Sequence, residues 1–228
     1  VYDGQLFWDR ETEIYDLQKA IENKEHFAIL GPPKVGKTSL IKKVISLYQN
    51  KNEKVFVYVD LKTISTRSEE INKFILSFIS EIIQYLCEKF GGMYWDTFEY
   101  YKNQYRDIME NHLDIVFKKI LTEIFESLRS NFRNSIIIVI LDSFEQLGIN
   151  ISNISRNCIS AFVKNIINVV QEKNIILGIV GDNKVENFDK ENKWDILSII
   201  PQENKINLYC FDKNTTIDFI KKTFSKIS

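Results

Sequence analysis

Gly31-Pro32-Pro33-Lys34-Val35-Gly36-Lys37-Thr38 fits the spacing G-x-x-x-x-G-K-[ST], in which a glycine-rich loop wraps backbone N–H groups around an anion. Both flanks agree. The preceding His26-Phe27-Ala28-Ile29-Leu30 is a short apolar run of the kind that becomes a buried strand, and residues 39–48 carry apolar side chains at helical spacing. A strand, a glycine loop and a helix in that order bring several N–H groups and the positive end of a helix to one point. The reading is a nucleoside-triphosphate site. Gly31, Pro32, Pro33, Lys34, Val35, Gly36 and Ser39 surround the phosphates, Lys37 reaches the outer phosphates, and the Thr38 hydroxyl ligates Mg²⁺. A chance match in a chain of this length is on the order of one in a hundred.

The chain has 228 residues, enough for one large domain or one and a half, and its 44% hydrophobic and 13% aromatic content excludes a disordered polypeptide. A net charge of −1 and a pI near 6.2 offer no electrostatic argument for direct binding to nucleic acid or to an anionic membrane. Cys87, Cys158 and Cys210 are scattered and odd in number, which suggests buried thiols in a reducing compartment and not a disulfide frame or zinc site. The longest apolar run, residues 136–141, is too short to cross a bilayer, and no signal peptide is visible; the expected location is the cytoplasm. The chain opens at Val1 and closes inside a helical pattern, so a piece of a longer protein is expected.

Working outward, strand patterns occur at 27–30, 55–60, 136–142, 175–180 and 205–210. Helical patterns occupy 11–23, 37–49, a long stretch over 69–129, 155–172 and 215–227. Alternating strands and helices predict a parallel sheet covered on both faces, with nucleotide at the carboxyl ends of the strands. Gly91-Gly92 splits the long stretch, giving two or three helices against one edge of the sheet. Its aromatics Tyr94, Trp95, Phe98, Tyr100, Tyr101 and Tyr105 pack this insertion onto the core or form a partner surface.

Ile136-Ile137-Ile138-Val139-Ile140-Leu141-Asp142 is an apolar run closed by an acid. That is what a Walker B strand needs: a buried strand delivering one carboxylate to the Mg²⁺ shell beside the phosphate loop. Asp142 is the metal-side candidate, its alternative being a turn or helix cap. Hydrolysis needs a group to orient or deprotonate water. Ser143 follows Asp142, so Glu145 is the candidate base, with a solvent-facing or capping role as its alternative and Gln146 as a second water-orienting candidate. In the additional-strand division of P-loop NTPases the strand at 175–180 inserts between the P-loop and Walker B strands, giving the order 5-1-4-3-2. Gly181-Asp182-Asn183 would then place Asn183 or Asp182 at the γ-phosphate, unless the tripeptide is only a turn.

The chain resembles the nucleotide-binding module of AAA-type ATPases, and within them the signal-transducing STAND group and its archaeal-type relatives. The resemblance lies in Leu6-Phe7-Trp8-Asp9-Arg10-Glu11-Thr12-Glu13, in the double proline of the phosphate loop, in Leu141-Asp142-Ser143-Phe144-Glu145-Gln146-Leu147, and in Leu208-Tyr209-Cys210-Phe211-Asp212. It implies Arg10 beside the adenine or ribose, ATP and ADP with Mg²⁺ as ligands, and a core over residues 1–210 with its helical insertion at about 69–130. Residues 211–228 would begin a lid, and sensor and effector regions would lie beyond this chain, with self-assembly on activation. Asp9 replaces the family's glycine, and Asp182 and Asn183 stand where STAND proteins commonly carry an arginine.

The resulting expectation is a slowly hydrolysing regulatory ATPase switch. The alternatives are a motor or loader ATPase with a trans arginine finger, for which Arg129 and Arg133 are candidates and Arg156 a distant cis one, or a scaffold that binds nucleotide without hydrolysis. Asn192-Lys193-Trp194-Asp195 has the spelling of a guanine-reading motif but follows a polar loop, and is read as coincidence.

Overall fold

The computed structural model describes residues 10–48, 53–65, 71–91, 113–149, 156–211, 216–217 and 221. Five strands, β1 (Phe27–Leu30), β2 (Lys54–Asp60), β3 (Ile136–Asp142), β4 (Ile176–Gly181) and β5 (Lys205–Asn207), form one sheet in the order β2-β3-β4-β1-β5. Every pairing is parallel. This is the expected 5-1-4-3-2 order read from the opposite edge, with β4 inserted between the P-loop strand and the Walker B strand.

The helices are α1 (Glu11–Glu22), α2 (Lys37–Leu47), α3 (Leu61–Ser65), α4 (Ile71–Phe90), α5 (Leu113–Asn131), α6 (Gln146–Ile149), α7 (Arg156–Glu172) and α8 (Lys184–Asn192), with a 3-10 turn over Gln202–Asn204. The central strands are apolar at nearly every position because both faces are covered. Phe27 and Ile29 of β1, with Ile138 and Ile140 of β3, pack on Leu17, Ile21, Leu40 and Val44 of α1 and α2. Ala28 and Leu30, with Ile137, Val139 and Leu141, face the larger layer of α4, α5 and α7. Phe162 of α7 joins that layer, its ring 5.1 Å from Phe74, 5.0 Å from Phe78 and 4.9 Å from Phe117.

Some boundaries differ from the sequence reading, for physical reasons. β4 starts at Ile176 and not Ile175, since the Ile175 N–H is taken by the Val170 carbonyl at 2.9 Å as α7 ends, with Asn174 at φ 53°. That 6→1 closure around a left-handed residue is a Schellman motif. β5 is three residues long, although the Leu208 N–H still donates to the Leu30 carbonyl at 2.7 Å. The helix at 184–192 lies in what reads as a polar loop, because only Val185 and Asp189 are buried along it. Trp194 is a core residue, edge-on to Phe144 at 5.9 Å with its Nε1 donating to Ser160 Oγ at 3.1 Å, which gives the guanine-like spelling a structural role. The aromatics at 94–105, Leu6 to Asp9, Asp212 and most of 215–227 lie outside the described residues. Among the described residues no helix is long and apolar enough to cross a membrane.

Candidate functional site

At the carboxyl end of β1 the chain turns through Gly31 and the loop to Gly36, and α2 begins at Lys37. Gly36 at φ 95° and Lys34 at φ 67° both take left-handed conformations that reverse the chain before the helix. Gly36 suits its position because glycine has no Cβ to oppose positive φ. The Lys37 ammonium donates to the carbonyls of Gly31 and Pro32, both at 2.8 Å, and so ties the start of the loop to the start of the helix. Burial pushes the Lys37 pKa below its ordinary value, while Glu145, Asp182 and Asp142, in that order, pull it back up. Three carboxylates from the ends of two neighbouring strands thus share the surroundings of one ammonium.

Thr38 Oγ1 donates to Asp142 Oδ2 at 2.7 Å, joining the head of α2 to the tip of β3 across 104 residues. Asp142 is only 2% exposed, and its Oδ1 accepts the N–H of Ser143 at 2.7 Å. Ser143 sits at φ 59°. The Tyr58 hydroxyl, from β2, also donates to Asp142 Oδ2, at 2.6 Å. Burial first, and then the Asp142 charge, push the Tyr58 phenol far above its ordinary value, so it stays a donor. A hydroxyl and a carboxylate side by side form the sparse, all-oxygen donor set that suits Mg²⁺, an ion that keeps several waters and takes one or two protein ligands with substrate phosphates. Among the described residues no group of three or more His, Cys, Asp or Glu is placed to cage a metal on its own.

Glu145 follows the bend at Ser143. Its Oε2 accepts the N–H of Asp182 at 3.0 Å, and the Phe144 N–H donates to the Val180 carbonyl at 3.0 Å, stitching the ends of β3 and β4 together. A Cβ on Gly181 would lie 3.0 Å from Glu145 Oε2 and 2.5 Å from Val185, so this seam needs glycine. Asp182 is 8% exposed and its Oδ1 accepts the Lys184 N–H at 2.7 Å at the start of α8. Asn183, the N-cap of α8, is exposed and makes no side-chain cap hydrogen bond. Of the two residues singled out after β4, Asp182 is buried and adds its charge to the surroundings of Lys37.

Arg10, just ahead of α1, lies on the other side of the phosphate loop's strand. Its Nη1 pairs with Glu13 at 2.7 Å, its Nη2 donates to the Tyr209 carbonyl at 2.8 Å, and its guanidinium lies 4.6 Å from the centre of the Phe211 ring. A cleft of about 640 Å³ opens there between α1 and the chain leaving β5, lined by Arg10, Glu13, Asp16, Lys205, Tyr209 and Phe211 among others. Arg129 lies at the far, amino end of the sheet, where it donates to the carbonyls of Lys173 and Asn174 and closes α7. Arg156 is the first residue of α7, and its side chain lies outside the described ones. The sequence reading missed Tyr58; its role depends on the β2–β3 register, which no local pattern in β2 encodes.

Comparisons with known proteins bear on the family and the fold. An uncharacterized ATP-binding protein of Methanocaldococcus jannaschii is 26% identical over 165 residues, covering 64% of this chain and 45% of that protein. Among solved structures, the ORC2 protein of Aeropyrum pernix in its ADPNP–ADP complexes superposes with a TM-score of 0.60 at 16% identity, over 95% of this chain and 52% of that one. A Walker-type ATPase of Pyrococcus abyssi gives 0.58 at 18% identity over 97% and 59%. Cdc6p of Pyrobaculum aerophilum gives 0.55 at 20% identity over 93% and 48%. These likenesses show a shared P-loop NTPase fold, and the chain spans about half the length of the proteins it matches. Residues 7–228, nearly the whole chain, match a single family profile, and the protein belongs to that family, the ATPase domain predominantly from Archaea.

Proposed function

We propose that this ATPase domain is the nucleotide-dependent switch of a longer, STAND-type signalling protein, binding ATP with Mg²⁺ and hydrolysing it slowly. The switch role rests on the resemblance to STAND proteins, and the hydrogen bond from Thr38 to Asp142 carries the nucleotide side of the reading. It pairs the two protein oxygens that a P-loop site offers to Mg²⁺, and it does so at the helix end where the loop's N–H groups gather. In this reading the loop from Gly31 to Ser39 wraps the phosphates. Lys37 spends two of its three N–H donors on Gly31 and Pro32 and turns the third to the outer phosphates. Mg²⁺, held by Thr38 and Asp142, would neutralise charge on the phosphate oxygens.

Glu145 orients the attacking water through Oε1 while Oε2 stays on the Asp182 N–H, and Asp182 takes the γ-phosphate sensor position next to Asn183. Arg10 and the cleft beside it receive the adenine and ribose, so its bond to the Tyr209 carbonyl links nucleotide to the chain leaving β5. That chain begins the lid, with residues 1–210 as the core. A lid moved by nucleotide state is how such a switch would report outward, through order–disorder or hinge changes in attached regions.

Two variants test it by equilibrium binding of a fluorescent ATP analogue and by single-turnover hydrolysis. Glu145→Gln keeps ATP affinity and cuts turnover by about 100-fold, the lower end of what a positioned general base supplies. Lys37→Ala loses nucleotide affinity. Unchanged turnover in the first removes Glu145 from the chemistry, and unchanged affinity in the second removes the phosphate assignment.

A further inference from the structure

Alternation along β2 and β3 puts Phe56, Tyr58 and Asp60 on the same face of the sheet as Ile138, Ile140 and Asp142. In the parallel register Tyr58 lies opposite Ile140 and Asp60 opposite Asp142. Tyr58 and Asp142 are therefore diagonal neighbours, a separation that a long aromatic side chain spans. The phenol reaches along the strand and ends 2.6 Å from Asp142 Oδ2. Packing alone does not call for that hydroxyl, since Phe56 fills the equivalent place two residues earlier without one. The ring is held from above by α2, with Lys42 Nζ 5.5 Å from its centre.

The consequence is in the oxygen count. Asp142 Oδ2 receives two O–H donors, from Thr38 and Tyr58, and Oδ1 receives the Ser143 N–H. Three donors from α2, β2 and the bend after β3 leave the carboxylate one orientation. Because Thr38 spends its proton on that carboxylate, the lone pairs of its oxygen are turned away from Asp142. A carboxylate free to rotate would let the Thr38 hydroxyl rotate with it.

We infer that Tyr58 is a positioning residue for the divalent cation: its hydroxyl fixes Asp142, and through Asp142 fixes the Thr38 hydroxyl with a lone pair presented to Mg²⁺. The inference rests on Thr38 and Asp142 being the cation side of the site. Tyr58 touches neither cation nor nucleotide. It acts as an outer hydrogen-bond partner of a ligand, and such partners tune metal affinity strongly.

The test is a Mg²⁺ titration of nucleotide affinity in the full chain, with a parallel measurement in EDTA and a melting curve of the nucleotide-free protein. Tyr58→Phe raises the Mg²⁺ concentration at half-effect by about 10-fold, the lower end for loss of such a partner, and leaves affinity in EDTA as in the wild type. The melting curve reads separately the stability lost with a hydrogen bond to a buried carboxylate. An unchanged Mg²⁺ titration overturns the inference, as does an equal loss of affinity with and without Mg²⁺. Asp142→Asn and the double variant separate the possibilities. If Tyr58 works through Asp142, the double variant is no more impaired in Mg²⁺ dependence than Asp142→Asn, and additive losses overturn the link. If Asp142→Asn itself titrates like the wild type, the assignment of the cation side fails first and the Tyr58 inference goes with it.

Discussion

Gly31 is the first residue of the phosphate loop, yet its closest constraint comes from the chain just past β5, the edge strand beside β1. A Cβ there would stand 2.4 Å from the Leu208 carbonyl oxygen and 3.2 Å from its carbon, where the chain leaves β5. Gly36 has the opposite problem: open space within 4 Å and a φ of 95°. Gly31 thus combines close approach with a positive φ of 156°, whereas Gly36 answers to positive φ alone. Gly31→Ala drives a methyl group into the Leu208 backbone at a strained φ, and overpacking of that kind costs about 1–3 kcal/mol. Denaturant unfolding of the nucleotide-free protein measures it, and wild-type stability in Gly31→Ala would refute the packing role. The spacing of the motif was readable in the sequence, but the β5 contact was not, because Leu208 lies 177 residues away by numbering (208 less 31).

Element boundaries follow stop signals that the sequence barely displays. α1 closes with Lys24 at φ 60° and the Glu25 N–H on the Ala20 carbonyl at 2.9 Å; α8 closes with Lys193 at φ 52° and the Trp194 N–H on the Asp189 carbonyl at 3.1 Å. Glycine is the usual residue there, and this chain has only eight. Lysine and asparagine serve instead; the end of α1 was read one residue late, at 23, and α8 went unread. Holding an L-residue left-handed costs roughly 1–2 kcal/mol, while glycine returns about 0.5–1 kcal/mol through backbone entropy. Lys24→Gly is therefore expected to stabilise the domain by about 0.5–1 kcal/mol. Urea unfolding decides it, and a loss of stability would show that the exposed Lys24 contributes more than its strain.

At the scale of the whole molecule, two apolar layers clamp a sheet whose carboxyl edge gathers Lys37, Thr38, Asp142, Glu145 and Asp182 from α2 and from the tips of β3 and β4. A ligand bound there joins all of these elements and stabilises them together. ATP with Mg²⁺ at 100 times its dissociation constant adds about 2.7 kcal/mol, and a domain of this size shifts by about 2–4 °C per kcal/mol, so melting rises by about 5–10 °C. Calorimetry or dye melting reads the shift, which Lys37→Ala abolishes. A wild-type protein indifferent to ATP would contradict the site. The sequence by itself determined the phosphate loop, the apolar strand that ends in Asp142 and the alternation of strands and helices, while the strand order came from the resemblance to P-loop NTPases. The sequence features rest on local spacing and on unbroken apolar runs buried on both faces. Only the tertiary structure decided that Tyr58 holds Asp142, that Glu145 rests on the Asp182 N–H, and that Arg10 grips the chain after β5. Each of those contacts joins residues brought together by register and crossover, and a side chain's partner across a sheet is set by register, which local sequence does not carry.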